Sequence, residues 1–196
     1  MSGPDTPIDA AELAQIREAV AYRQICDCLY RYARGIDRRD AETFQSAFWP
    51  GAQVDYSFWR GEIGAFIEML LPAMGGTETQ HFFGNILARI DGDQAAAETY
   101  FQAYHRVEME GGLRDVFVAG RYLDMLERRA GEWRIADRIL VFDWYREAPD
   151  TGDWSRGFFG ITDQTGLMGR IDEKDPSRTR AAFARIMNAR PESSFT

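Results

Sequence analysis

Residues 95–146 read AAAETYFQAYHRVEMEGGLRDVFVAGRYLDMLERRAGEWRIADRILVFDWYR, three long runs rich in β-branched and aromatic residues, divided by the turn signals GG and AGEW. One strand earlier, HFFGNILARI is followed by the turn DGDQ. The sequence therefore predicts a series of hairpin-linked antiparallel strands. Their expected length, about 12 to 16 residues, far exceeds the usual five or six. Strands that long twist and curl, and with helices over the concave face they would enclose a pocket.

Upstream the periodicity is helical. From Asp9 to about Asp40 there is no proline and a single glycine, Gly35, and Leu13, Ile16, Val20, Ile25, Leu29, Tyr32 and Ile36 recur mostly at three- or four-residue steps. This predicts one long amphipathic helix. A short helix in AETFQSAF is expected to stop at Trp49-Pro50-Gly51, followed by a strand in AQVDYSFW and a helix in EIGAFIEMLLPAM. Helices followed by a run of antiparallel strands define the α+β class, with the helices gathered on one face of the sheet. From Glu147 onward the chain is rich in Gly, Asp and Thr, then basic and helical in DPSRTRAAFARIMNAR. The expected division is a domain over 1–146 and an extension over 147–196 that packs on the domain or on a neighbouring subunit.

Composition narrows the partners. Of the 196 residues 45% are apolar, enough for a real core, and 31 acidic against 23 basic residues give a net charge of −8, which repels phosphate backbones. No nucleic-acid partner is expected. No stretch approaches 18 consecutive apolar residues and the first residues lack a basic region followed by an apolar run, so no membrane association is expected and the cytoplasm is the expected compartment. Cys26 and Cys28 lie two apart in the helical pattern, where their Cβ vectors diverge by about 200°. Neither a disulfide nor a zinc site follows from one such pair, and both read as buried thiols. The exposed aromatics Trp144 and Tyr145 at an open sheet favour a homo-oligomer.

Only two histidines occur. His105 shares the apolar face of its strand with Ala97, Thr99, Phe101 and Ala103, and so points inward. An imidazole there is more often a hydrogen-bonded core residue than a catalyst, yet it is also a candidate pocket residue. His81 starts its strand, where a side chain can meet solvent and substrate together, and its ordinary pKa near 6.5 suits proton transfer. Asp37, near the end of the long helix, borders the apolar stripe; it either needs a partner such as His81 or pairs at the surface with Arg34 or Arg38. Arg138 is by default a surface residue of WRIADRIL, but an internal guanidinium would need an anion: substrate, a leaving group or Asp37.

The order LYRYARGIDRRD, FWPGAQVDYSF, TQHFFGN, AETYFQAYHR and LERRAGEWRIADRILVFDW resembles the SnoaL-like branch of the NTF2-like superfamily over about residues 10 to 146. That branch includes scytalone dehydratase, hexachlorocyclohexane dehydrochlorinase and bile acid 7α-dehydratase. The resemblance implies a cone-shaped α+β barrel, with helices on the concave face of a strongly curved, mainly antiparallel sheet around an apolar pocket. It also implies a catalytic dyad of Asp37 and His81, in which the histidine is the base of a cofactor-free elimination. Tyr32 stands where the family often places Tyr or Lys, although on a regular helix it is about 140° from Asp37. Arg138 matches an arginine of the last-strand WRI motif, and His105 falls near a polar pocket position.

The function expected on these grounds is a lyase or isomerase, dehydratase-like, acting on a small hydrophobic, cyclic molecule without metal or cofactor. Tyr32, His105 and Arg138 are its expected substrate-binding residues, and the resemblance suggests a dimer or trimer. The alternative is a non-catalytic structural or ligand-binding subunit, such as the small subunit of a ring-hydroxylating dioxygenase, since fold does not settle function. Epoxide-hydrolase-like chemistry would need an Asp-Arg-Asp group drawn from Asp55, Arg138 and Asp137 or Asp143, and no natural triad is evident.

Overall fold

The structure, a computed structural model, describes residues 8–162, 164 and 168–187. Helix α1 (Ala10–Asp37) begins where the Asp9 carboxylate accepts the backbone N–H of Glu12 at 2.8 Å, a side-chain N-cap. It is followed by α2 (Ala41–Ser46), β1 (Phe48–Asp55), β2 (Arg60–Glu62) and α3 (Ile63–Ala73). Four long strands complete the domain: β3 (Glu78–Asp91), β4 (Gln94–Met109), β5 (Gly112–Arg129) and β6 (Glu132–Pro149). They form one curved, unclosed six-stranded sheet in the order β2-β1-β6-β5-β4-β3, with α1 to α3 packed on the concave face. The expected α+β architecture, helices on the concave face of a curved, mainly antiparallel sheet, is what the chain adopts.

The core lies between helices and sheet. Ile25, Leu29, Tyr32 and Ile36 of α1 meet Phe44, Phe66, Tyr122, Leu126, Trp133 and Ile135, all buried. The stripe predicted on α1 is only half used: Leu13, Ile16 and Val20 are exposed, because at about 100° per residue they fall on nearly the opposite side of the helix from the buried Ile25, Leu29, Tyr32 and Ile36. At Gly35 the backbones of α1 and α2 nearly touch, and a Cβ there would stand 2.4 Å from the Phe44 nitrogen. Gly35→Ala should therefore cost about 1–3 kcal/mol through forced overpacking. Urea unfolding would measure it, and an unchanged midpoint would contradict this account of the α1–α2 contact.

Three expectations need correction. The strand predicted from Ala52 begins at Phe48, so Trp49-Pro50-Gly51 lies inside β1. Pro50 is tolerated because the pairing of β1 with β6 is irregular between Phe48 and Gln53, where Gly51 takes a φ of 82°. That pairing is parallel, so the sheet is mainly and not wholly antiparallel. Arg138, taken by default as a surface residue, is fully buried, and its anion is Asp124. None of the carboxylates considered for it serves: Asp37 bonds His81, Asp55 pairs with Arg60, Asp143 pairs with Arg121, and Asp137 is exposed. Beyond Pro149 come α4 (Pro176–Thr179) and α5 (Ala181–Met187), a basic helix broken at Arg180. Within the extension, residues 163, 165–167 and 188–196 lie outside the described residues.

Candidate active site

The last residue of α1 and the start of β3 bring Asp37 and His81 together. His81 Nδ1 lies 2.7 Å from Asp37 Oδ1, the Thr79 hydroxyl donates to the same oxygen at 2.9 Å, and the His81 backbone N–H donates to Oδ2 at 2.8 Å. A carboxylate only accepts, so Nδ1 carries a proton and, in the neutral ring, Nε2 keeps its lone pair. No hydrogen bond within the described residues engages Nε2. The Asp37 side chain is 9% exposed and that of His81 5%. Burial pushes the Asp37 carboxyl up, but the hydrogen bonds and proximity of His81, with Thr79, outweigh it and hold the pKa below the ordinary value.

His105 lies across the β3–β4 ladder, opposite Thr79, and its ring centroid is 5.7 Å from that of His81. Its Nδ1 is buried without a hydrogen-bond partner. Burial, helped by the neighbouring His81, pushes its pKa down to about 4, so the ring is neutral at physiological pH. This has a consequence for stability. The unfolded histidine binds its proton near pH 6.5, and the folded one does not until about pH 4. The contribution is thus present in full above pH 6.5 and is lost as pH falls towards 4. Urea unfolding at several pH values in this window should show a shallower decline for His105→Gln than for the wild type, and parallel curves would contradict a neutral buried His105.

Behind the pair lies a polar cluster that no motif announces. The Tyr56 hydroxyl donates to that of Tyr32 at 3.4 Å, and the Tyr32 and Tyr122 hydroxyls are 3.2 Å apart. The Arg138 guanidinium lies 4.2 and 4.1 Å from the ring centroids of Tyr32 and Tyr122, which meet each other edge to face, and holds Asp124 through two bonds of 2.6 and 2.8 Å. Burial opposes the guanidinium's charge, but Asp124 outweighs this and holds the arginine pKa well above its ordinary value. Tyr32 thus reaches the site by its ring, 6.3 Å from that of His81, while its hydroxyl is engaged by those of Tyr56 and Tyr122. Tyr56, Tyr122, Asp124 and Thr79 were not singled out from sequence. Alternation through RYLDMLE does place Asp124 on one face with Tyr122 and Leu126, and register sets it opposite Arg138.

The concave face continues away from His81 through its partner Ala103 to Val118, two strands across or about 10 Å. There an open cavity of about 400 Å³ is lined by Val116, Val118, Phe142, Asp143, Trp144 and Tyr145. Asp37 and His81 are not among its lining residues; the shared sheet face is what joins the two. Among the described residues no group of three or more His, Cys, Asp and Glu side chains is arranged to hold a metal, and no helix is long and apolar enough to cross a membrane.

The fold is similar to that of several solved structures. A type-3 hexachlorocyclohexane dehydrochlorinase from Novosphingobium barchaimii is 16% identical, with a TM-score of 0.61 over 69% of this chain and 95% of that one. A proposed scytalone dehydratase from Novosphingobium aromaticivorans is 22% identical, with a TM-score of 0.59 over 69% and 95%. A proposed aromatic ring hydroxylase from the same organism is 21% identical, with a TM-score of 0.54 over 64% and 91%. At these identities the likeness is one of fold. No curated protein matches the chain. A SnoaL-like domain model, however, matches residues 17–139, well over half of the chain and the span that carries most of α1, strands β1 to β5, the first part of β6 and both histidines; the chain belongs to the SnoaL-like family.

Proposed function

We propose that this chain is a cofactor-independent lyase or isomerase that removes a proton from carbon in a small, apolar, cyclic substrate. The observation that carries this reading is the hydrogen bond between Asp37 Oδ1 and His81 Nδ1, with Thr79 and a backbone N–H fixing the carboxylate. His81 Nε2 takes the proton, and Asp37 holds the tautomer and stabilises the imidazolium that forms. The leaving group then departs from the neighbouring carbon, or the proton is returned to another carbon. Neutral His105 is the polar group offered to the substrate, and the apolar concave face supplies its binding surface. The Tyr32 and Arg138 side chains form the wall behind the dyad. Likeness in fold to a dehydrochlorinase and a proposed dehydratase fits elimination chemistry.

A second reading, a ligand-binding or structural subunit, is favoured by the cavity that lies apart from the dyad and by the fold likeness to a proposed ring hydroxylase. One experiment separates the two. Purified protein is incubated in deuterated water with a panel of cyclic β-hydroxy ketones and halogenated cyclohexanes, and elimination or deuterium uptake at carbon is followed by NMR. The enzyme reading expects turnover that falls by about 10² to 10⁴-fold in His81→Ala. Equal rates in wild type and variant would remove it and leave the binding subunit.

A further inference from the structure

The last four carbonyls of a helix have no partner within it, and a helix end frays unless something else takes them. At the end of α1 the next three residues take them, with the Arg38, Asp40 and Arg39 backbone N–H groups on the Arg34, Gly35 and Ile36 carbonyls and the Arg38 guanidinium on that of Asp37, and the C-terminal extension, from beyond residue 139 where the family match stops, holds this capping turn in place. Arg178 Nη2 donates to the Arg38 carbonyl at 2.6 Å, and Arg34 Nη2 donates to the Ser177 hydroxyl at 3.4 Å. The Arg38 guanidinium donates to the Asp37 carbonyl at 3.2 Å and approaches the Asp175 carboxylate at 3.9 Å. Asp175 is itself only 4% exposed and accepts the backbone N–H groups of Arg170 and Ser177, each at 2.9 Å. The Asp37 side chain is therefore tied to β3, and the residue that follows it, Arg38, is tied to the extension through its carbonyl and its guanidinium.

We propose that Arg178 and Asp175 are positioning residues for the Asp37–His81 pair, and that the segment 170–178 is a clamp that keeps the end of α1 seated against β3. The inference deepens the enzyme reading given above and rests on the same pair. Its physical reason is tolerance: a proton-transfer pair works only within about 0.5 Å of its productive geometry, and Asp37 occupies the terminal position of its helix, where backbone freedom is greatest.

The test reads the pair directly and needs no substrate. In the full-length protein labelled with ¹⁵N-histidine, the solvent exchange of the His81 Nδ1 proton is followed by NMR. With only two histidines the signals are readily told apart. Arg178→Ala should speed exchange of the His81 proton roughly tenfold or more, the scale of losing a hydrogen bond to a charged group. Arg178→Lys should recover part of the protection, since an ammonium can still reach one carbonyl. An unchanged rate in Arg178→Ala would overturn the clamp; should that variant not fold, Asp175→Asn decides by the same readout. Faster exchange combined with intact turnover in His81→Ala would sink the enzyme reading and leave the clamp. Unchanged exchange together with a turnover that depends on His81 would do the reverse.

Discussion

Asp37→Asn is expected to lower turnover by about 10² to 10⁴-fold while leaving the protein folded. Three donors converge on the Asp37 carboxylate: the Thr79 hydroxyl, the His81 backbone N–H and the His81 ring. An asparagine presents one acceptor oxygen and one NH₂ group, so at least one of these donors is left unpaired at a cost of about 1–3 kcal/mol. The amide cannot stabilise an imidazolium, and where its NH₂ faces the ring it favours the tautomer that carries hydrogen on Nε2. That tautomer has no lone pair with which to take a proton from the substrate. Steady-state turnover measured beside a urea unfolding curve separates the chemical loss from the loss of stability. A variant retaining turnover within a few fold would show that the carboxylate is structural only.

The largest effect on stability should come from Arg138→Ala. The ion pair with Asp124 has both side chains at 0% exposure, and removing the arginine leaves an uncompensated carboxylate among apolar and phenolic groups. Losses of about 3–5 kcal/mol are typical for breaking such a pair. The rings of Tyr32 and Tyr122 would also lose the cation that contacts both. Replacing both partners together, Arg138→Met with Asp124→Leu, removes the charge as well as its partner and should recover most of the loss. Chemical denaturation of the single and double variants measures this. A single variant that loses less than about 1 kcal/mol would contradict the buried pair.

The fold was legible because its signals are local and repeated. Alternation along β4 to β6 and the turn signals at GG and AGEW are properties of short windows, and so is the apolar periodicity from Ile25 to Ile36. Asp37 and His81 were legible through the family's motifs, not through their surroundings, since position alone left Asp37 equally suited to a surface pair with Arg34 or Arg38. Arg138 and Asp124 show what escapes such reading. Their contact depends on the register of β5 against β6, which a bulge between Met125 and Leu126 shifts by a residue. The tyrosine cluster is harder still, because Tyr32, Tyr56 and Tyr122 come from a helix, the end of β1 and β5. Only long-range packing brings their hydroxyls together. The exposure of Leu13, Ile16 and Val20 has a simpler origin: the five-residue step from Val20 to Ile25 breaks the three- and four-residue spacing and leaves them on nearly the opposite side of α1 from Ile25, Leu29, Tyr32 and Ile36.

The tautomer of His81 tests the proton-transfer account most directly. In ¹⁵N-histidine-labelled protein at pH 8, long-range ¹H–¹⁵N correlations distinguish the ring nitrogen that bears hydrogen from the one that does not. The geometry at Asp37 predicts the proton on Nδ1 and the lone pair on Nε2, and replacement of Asp37 by Asn should disturb that pattern. A neutral His81 carrying its proton on Nε2 in the wild-type protein would contradict the account, because the nitrogen assigned to take the substrate's proton would already hold one.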